Sequence, residues 1–141
     1  MANKVLTMGS FDLFHTGHLT LLQTCNKLAG SGGRLYIGIN SDKFMTSFKR
    51  KPIVEWERRK KIISALFPRA TIFSVDEHDA SSHLVDKDFL VIGVDWAFRD
   101  YFEQIGVDRE YLKERGVTLL YKEVDEDITT SELIERAKNA E

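Results

Sequence analysis

Apolar residues gather along the chain in five short runs separated by stretches of helical pattern. The runs are Lys4 to Met8 (KVLTM), Arg34 to Ile39 (RLYIGI), Ala70 to Val75 (ATIFSV), Phe89 to Gly93 (FLVIG) and Val117 to Tyr121 (VTLLY). Most are continuously apolar rather than alternating, which predicts strands of a sheet covered on both faces. Leu21, Leu22, Cys25 and Leu28 recur at helical spacing after the first run, and Trp56, Ile62, Ile63, Leu66 and Phe67 do so before the third. A short helix is expected around Ala80 to Val85. Another is expected from Arg109 to Arg115, with Asp108 as N-cap and Gly116 as its stop, and a last one from Thr130 to the C-terminus. Strand and helix alternate throughout. The pattern predicts right-handed βαβ units in a single domain over residues 1–141: an α/β fold with a doubly wound, five-stranded parallel sheet.

Composition narrows the class. A chain of 141 residues, 43% of them hydrophobic, suits one domain with one core. Its one cysteine, Cys25, excludes an internal disulfide framework and a cysteine-based zinc site, and it falls on the apolar face of its helix as a core residue. Twenty Lys and Arg against 22 Asp and Glu give a net charge of −2, which argues against a nucleic-acid or membrane-surface binder. No apolar run approaches the ~20 residues of a membrane span. Met1-Ala2-Asn3-Lys4 leads straight into a strand-like run without a signal-peptide layout, so a soluble cytoplasmic domain is expected.

In doubly wound sheets, ligands bind beyond the carboxyl ends of the strands. The first such loop, Gly9 to His18, reads GSFDLFHTGH and passes from strand to helix. Gly17 permits close backbone approach, the helix N-terminus supplies free N–H groups, and His15 and His18 can donate to phosphate oxygens. Asp12 can orient a histidine or help hold a metal. His-x-x-His alone reads equally as a capped helix with two surface histidines; the whole strand, Gly-Ser-Phe-Asp, His-x-Gly-His and helix is far more specific. Lys49-Arg50-Lys51-Pro52 is the densest positive cluster, readable as a solvated run or as a clamp closing on phosphates. Arg59 lies on or beside an apolar helical stripe and needs an anionic partner, either a protein carboxylate or a substrate phosphate. Asp42 sits in a turn, Asn40-Ser41-Asp42, that its own residue types already explain. Asp95 ends the fourth strand as a candidate for the substrate pocket, and Trp96 can stack on a base or fill the core. Thr129 and Glu132 have capping-box spacing, and the hydroxyls of Thr129, Thr130 and Ser131 can cradle phosphates. His78 and His83 receive no role.

At Gly9 to His18 the sequence resembles the HxGH nucleotidylyltransferase superfamily, and more narrowly the cytidylyltransferases typified by the glycerol-3-phosphate enzymes. Their opening, G-[ST]-F-D-x-x-H-x-G-H, is met residue for residue, and the resemblance runs unevenly over nearly the whole chain. It implies a Rossmann-like α/β fold in a homodimer that joins a nucleoside triphosphate to a phosphate-bearing alcohol and releases pyrophosphate, without a covalent enzyme intermediate. Gly9, Ser10, Phe11, Asp12, His15, His18, Asp95 and Thr129 to Ser131 would bind the nucleotide. His15 and His18 would stabilise charge on the α-phosphoryl group. A lysine-bearing loop after the second strand maps to Lys51 in preference to Lys49 or Arg50, and a family arginine maps to Arg59. Asp42, Arg59, Trp96 (in a G-x-D-W match) and Arg99 would face the acceptor.

The sequence departs from the family before Ile128. The pattern R-T-x-G-I-S-T-T is kept only at Ile128-Thr129-Thr130, and Val124-Asp125-Glu126-Asp127 replaces R-T-x-G. These acids would bind Mg²⁺, face a cationic acceptor or be solvated. The resemblance therefore implies cytidylyl transfer from CTP to a small phosphomonoester such as glycerol 3-phosphate, with Mg²⁺ held on the triphosphate. The alternatives are an adenylyltransferase using ATP and a nucleotide-binding regulatory module that does not turn over.

Overall fold

A computed structural model describes residues 2–93, 101–122 and 129–140. Five strands, β1 (Lys4–Gly9), β2 (Arg34–Asn40), β3 (Thr71–Val75), β4 (Phe89–Gly93) and β5 (Thr118–Lys122), form one parallel sheet in the order β3-β2-β1-β4-β5. The chain runs outward from β1 to β3 on one side, then returns to place β4 against the other edge of β1. The order thus reverses between β1 and β4, where a doubly wound sheet opens a crevice at its carboxyl ends.

Successive strand residues face opposite sides, and both sides are apolar. Val5, Leu35, Ile37, Ile39 and Val91 pack with Leu22, Cys25 and Ala29 of α1 (Thr16–Ala29) and with Ile63 of α3 (Trp56–Leu66). Leu6, Leu90 and Ile92 pack on the other side with Tyr101 and Ile105 of α4 (Tyr101–Ile105) and Leu112 of α5 (Arg109–Glu114). This two-sided burial explains why the strands read as continuous apolar runs. Burial pushes the Cys25 thiol up to about 12, as suits an inert core position. Among the described residues no helix is long and apolar enough to cross a membrane.

Several expectations shift. The helix expected around Ala80 to Val85 is a single 3₁₀ turn at Ser81–Leu84. The stripe of α3 runs through Arg59, Ile63 and the capping Phe67, and it leaves Ile62 and Leu66 exposed. Two short helices were not anticipated, α4 and α2 (Asp42–Phe48), the latter capped by Ser41, whose hydroxyl accepts from Phe44 N–H at 3.1 Å. Asp108 caps α5 by accepting from Tyr111 N–H, and Gly116 follows in the left-handed region at φ 69°, both as the pattern predicts.

Gly33 is the tightest backbone crossing. Asn3 N–H donates to Ala29 O, Arg34 N–H donates to Asn3 O, and a Cβ on Gly33 would overlap backbone atoms of both Ala29 and Asn3. Gly33→Ala is expected to cost about 1–3 kcal/mol through forced backbone displacement. Urea unfolding monitored by circular dichroism measures it; an unchanged midpoint contradicts the crossing.

Candidate active site

The carboxyl ends of the strands open into a cleft of about 780 Å³. Its floor is the turn between β1 and α1. Phe11 and Leu13 hold left-handed backbone angles there, φ 52° and 51°, a strained state that tertiary contacts must enforce. Gly9 precedes them because a Cβ would meet the Phe11 ring at 3.3 Å. His15 caps α1. Its Nδ1 accepts from Gly17 N–H at 3.1 Å, and its own N–H donates to His18 Nδ1 at 3.3 Å. The motif is a capping box built from two imidazoles, whose rings stack at 3.8 Å between centroids. Each Nδ1 accepts a backbone N–H, so each ring carries its proton on Nε2. Both rings line the cleft. Phe11 stands edge-on to His18 at 5.5 Å, and Phe14 lies tilted at the same distance. Burial first, and then the neighbouring His15 ring and Lys49, draw the His18 pKa down to about 3.

The other expected phosphate elements converge here in part. Thr129 caps α6 (Thr130–Asn139), accepting from Glu132 N–H at 3.1 Å, while Glu132 itself turns to Arg136 at 2.7 Å and completes no capping box. Thr130 Oγ1 donates to Asp12 O at 2.9 Å, which ties α6 to the histidine turn. Thr129, Thr130 and Ser131 line the cleft with Gly9, Ser10 and Phe11. Asp95, Trp96 and Arg99, and the acids Asp125 to Asp127, lie outside the described residues.

Four expectations need correction. Asp12 directs its carboxylate to the basic loop rather than to a histidine ring: it is 2% exposed and accepts from Arg50 Nη1 (2.6 Å), Ile53 N–H (2.9 Å) and Val54 N–H (2.8 Å). Burial works to raise its pKa, but the two backbone bonds and the guanidinium prevail and hold it below the ordinary carboxylate value. Arg59, 1% exposed, directs its donors to Val54 O, Ser10 O, Asn40 O and Asp42 Oδ1, so its partner is protein rather than substrate phosphate. Asp42 is engaged by Arg59 and by Trp56 N–H at 3.1 Å, which makes it a structural anchor away from the cleft lining. Lys51 is exposed outside the cleft; Lys49 and Arg50 line it instead, because Asp12 draws the Arg50 head inward. Arg50 Nη2 is left buried with no protein acceptor.

Sequence reasoning passed over His78, Phe44 and Phe48, all of which line the cleft. The Ser41 cap followed by apolar residues at Phe44, Met45 and Phe48 carried a signal for α2. His78 had none, because its place depends on Gln104, 26 residues away.

Two expectations follow from these contacts. Arg59→Met removes a buried charge and leaves three backbone carbonyls without a donor, at a cost of about 3–5 kcal/mol, read by thermal unfolding. A loss under 1 kcal/mol contradicts the pinning role. For His18, the unfolded ring takes up its proton near pH 6.5 and the folded ring only near 3, so the unfolded state binds more protons across that window. Stability is expected to fall as pH drops from about 6.5 toward 3. His18→Asn, which keeps an acceptor for the His15 N–H, should lose less between pH 7 and pH 5 in urea titrations; parallel losses contradict the assignment.

Comparison with known proteins gives the family. The family model described as Cytidylyltransferase-like matches residues 6–136. A FAD synthase of Methanopyrus kandleri is 33% identical over 117 residues, covering 78% of each chain. A bifunctional HldE protein of Blochmanniella floridana is 34% identical over 135 residues, 93% of this chain but 26% of the relative. Among solved structures, an Archaeoglobus fulgidus protein of unknown function superposes with TM-score 0.70 at 23% identity, over 89% of this chain and 93% of the other. A lipopolysaccharide core biosynthesis protein of Thermoplasma volcanium gives 0.68 at 20%, over 91% and 100%; these two speak for the fold alone. The match over most of the chain and the two-histidine turn lead to one assignment: this chain belongs to the cytidylyltransferase-like family and is a nucleotidyltransferase.

Proposed function

We propose that the chain transfers an adenylyl group from ATP to a phosphomonoester. An oxygen of the acceptor phosphate attacks the α-phosphorus, the bond from that phosphorus to the oxygen bridging the β-phosphate breaks, and pyrophosphate leaves. The product is a phosphoanhydride and no enzyme-bound intermediate forms. The observation that carries the reading is the pair of stacked imidazoles at the α1 N-terminus, each committed by its Nδ1 bond to present Nε2–H at the cleft. Neutral N–H donors on a helix N-terminus stabilise charge that builds on the transferring group without moving a proton. Arg50 Nη2, Lys49 and the hydroxyls of Thr129 and Ser131 supply further phosphate contacts around them. Among the described residues no group of three or more His, Cys, Asp or Glu is arranged to hold a metal. Mg²⁺ in this reading is carried by the triphosphate and offsets its charge there.

The choice of ATP rests on the relatives. Several are FAD synthases, and FAD contains an AMP unit that nucleotidyl transfer must draw from ATP. The resemblance in the motifs points to CTP and a small polyol phosphate, and the replacement of R-T-x-G by Val124 to Asp127 weakens that choice. Pyrophosphate release with ATP at least tenfold above CTP, across a panel of phosphomonoesters, is the expected outcome; preference for CTP reverses it. His18→Ala is expected to lower turnover by about 10²–10³-fold with the fold retained, the range for removing one such donor. Near-full activity in that variant removes the histidine pair from the chemistry.

A further inference from the structure

The two ends of the cleft differ in chemistry. Its cations stand at the histidine turn: Arg50 is bonded to Asp12, and Lys49 is near enough to act on His18. The wall formed by α2 and the segment after β3 is aromatic. Phe44 and Phe48 have centroids 4.8 Å apart, and the His78 ring stands at 80° to Phe44, also at 4.8 Å, and 5.8 Å from Phe48. His78 Nδ1 lies 3.1 Å from Gln104 O, which can only accept. Nδ1 therefore donates, and Nε2 of the neutral ring keeps a lone pair. This is the reverse of His15 and His18. One end of the cleft offers donors for phosphate; the other offers ring faces and one acceptor nitrogen. Glu77 is the charged lining residue beside that wall among the described residues.

In the proposed reaction the acceptor's phosphate lies at the donor end, beside the α-phosphate, and the rest of the acceptor must extend from it. A short polyol would set hydroxyls against phenyl faces that cannot pair with them. A flat ring system covers those faces by stacking, and an N–H or hydroxyl on it pairs with an acceptor nitrogen. The wall stands on the β2–β3 side of the sheet. In the proposed reaction the nucleotide takes the crevice between β1 and β4, where the strand order reverses, so the wall falls to the acceptor rather than to the nucleotide base.

We propose that Phe44, Phe48 and His78 form the acceptor subsite, built for a phosphomonoester that bears a planar aromatic ring system and donates a hydrogen bond to His78 Nε2. This rests on the nucleotidyl-transfer reading and names its acceptor class. Flavin mononucleotide, the phosphomonoester half of FAD, has a tricyclic ring, a ring N–H and chain hydroxyls, and serves as the probe.

Flavin fluorescence is titrated with the protein, with and without α,β-methylene-ATP, an analogue that cannot transfer its adenylyl group. Binding of the analogue is measured separately by calorimetry, so the subsite and the reading beneath it can fail independently. Saturable quenching is expected. Phe48→Ala and His78→Ala should each weaken it by about tenfold or more, the scale of losing one stacking partner, with the affinity for the analogue unchanged. Phe48 is half-buried and His78 exposed, so both variants should fold, and circular dichroism checks that they do. Absence of quenching with the analogue bound overturns the proposal. So does equal binding by both variants, displacement of flavin mononucleotide by the analogue, or displacement by glycerol 3-phosphate at comparable concentration.

Discussion

A single buried guanidinium holds the carboxyl end of the sheet together. Arg59 donates to Ser10 O just beyond β1, to Asn40 O at the end of β2, to the side chain of Asp42 at the start of α2 and to Val54 O in the basic loop. Four segments that meet only at the carboxyl edge of the sheet are thus fixed to one planar fork. An arginine suits this role because its donors diverge in a rigid plane and its charge is never lost. The Val54 peptide is held from both sides, since its N–H goes to Asp12 while its C=O takes Arg59. The basic loop is thereby anchored at its far end to the histidine turn, and the position of Arg50 follows from that anchoring.

The same economy governs the histidines. The backbone N–H groups that a helix start leaves without partners are satisfied here by imidazole nitrogens. Meeting this structural need also decides which nitrogen of each ring is left to bind a ligand. His18 is kept neutral chiefly by burial among Phe11 and Phe14, with neighbouring positive charge adding to the effect. Structure and chemistry therefore share the same atoms at this turn.

Much of this was legible in the sequence, for reasons that can be named. The strands showed because both faces of the sheet are covered, so KVLTM and FLVIG leave no polar face to blur the pattern. The histidine turn showed because its parts are contiguous in sequence. Arg59 showed as a buried cation from its place among Trp56, Ile62 and Ile63, but its partners did not, since they arrive from residues 10, 40, 42 and 54. The structure brings Arg50 rather than Lys51 to the cleft because a buried carboxylate 38 residues away selects between neighbouring side chains, and loop composition carries no trace of that. Helices α2 and α4 have only seven and five residues, too few for a period to stand out. His78 depends on α2 and α4 together, neither of which had been read.

The strand order has a consequence for synthesis. β1, β2 and β3 pair among themselves within residues 4–75, and the same stretch holds the histidine turn, the basic loop and Arg59. A nascent chain of that length can assemble most of its cleft-lining groups while one edge of β1 still lacks β4. The unpaired edge is the centre of the finished sheet, apolar on both sides, and it is the kind of surface that recruits strands from other chains. Until β4 is made, the ribosome-bound half-domain is an aggregation hazard as well as a partly built enzyme. The arrival of Phe89–Gly93 ends that exposure and opens the crevice between β1 and β4 in one step.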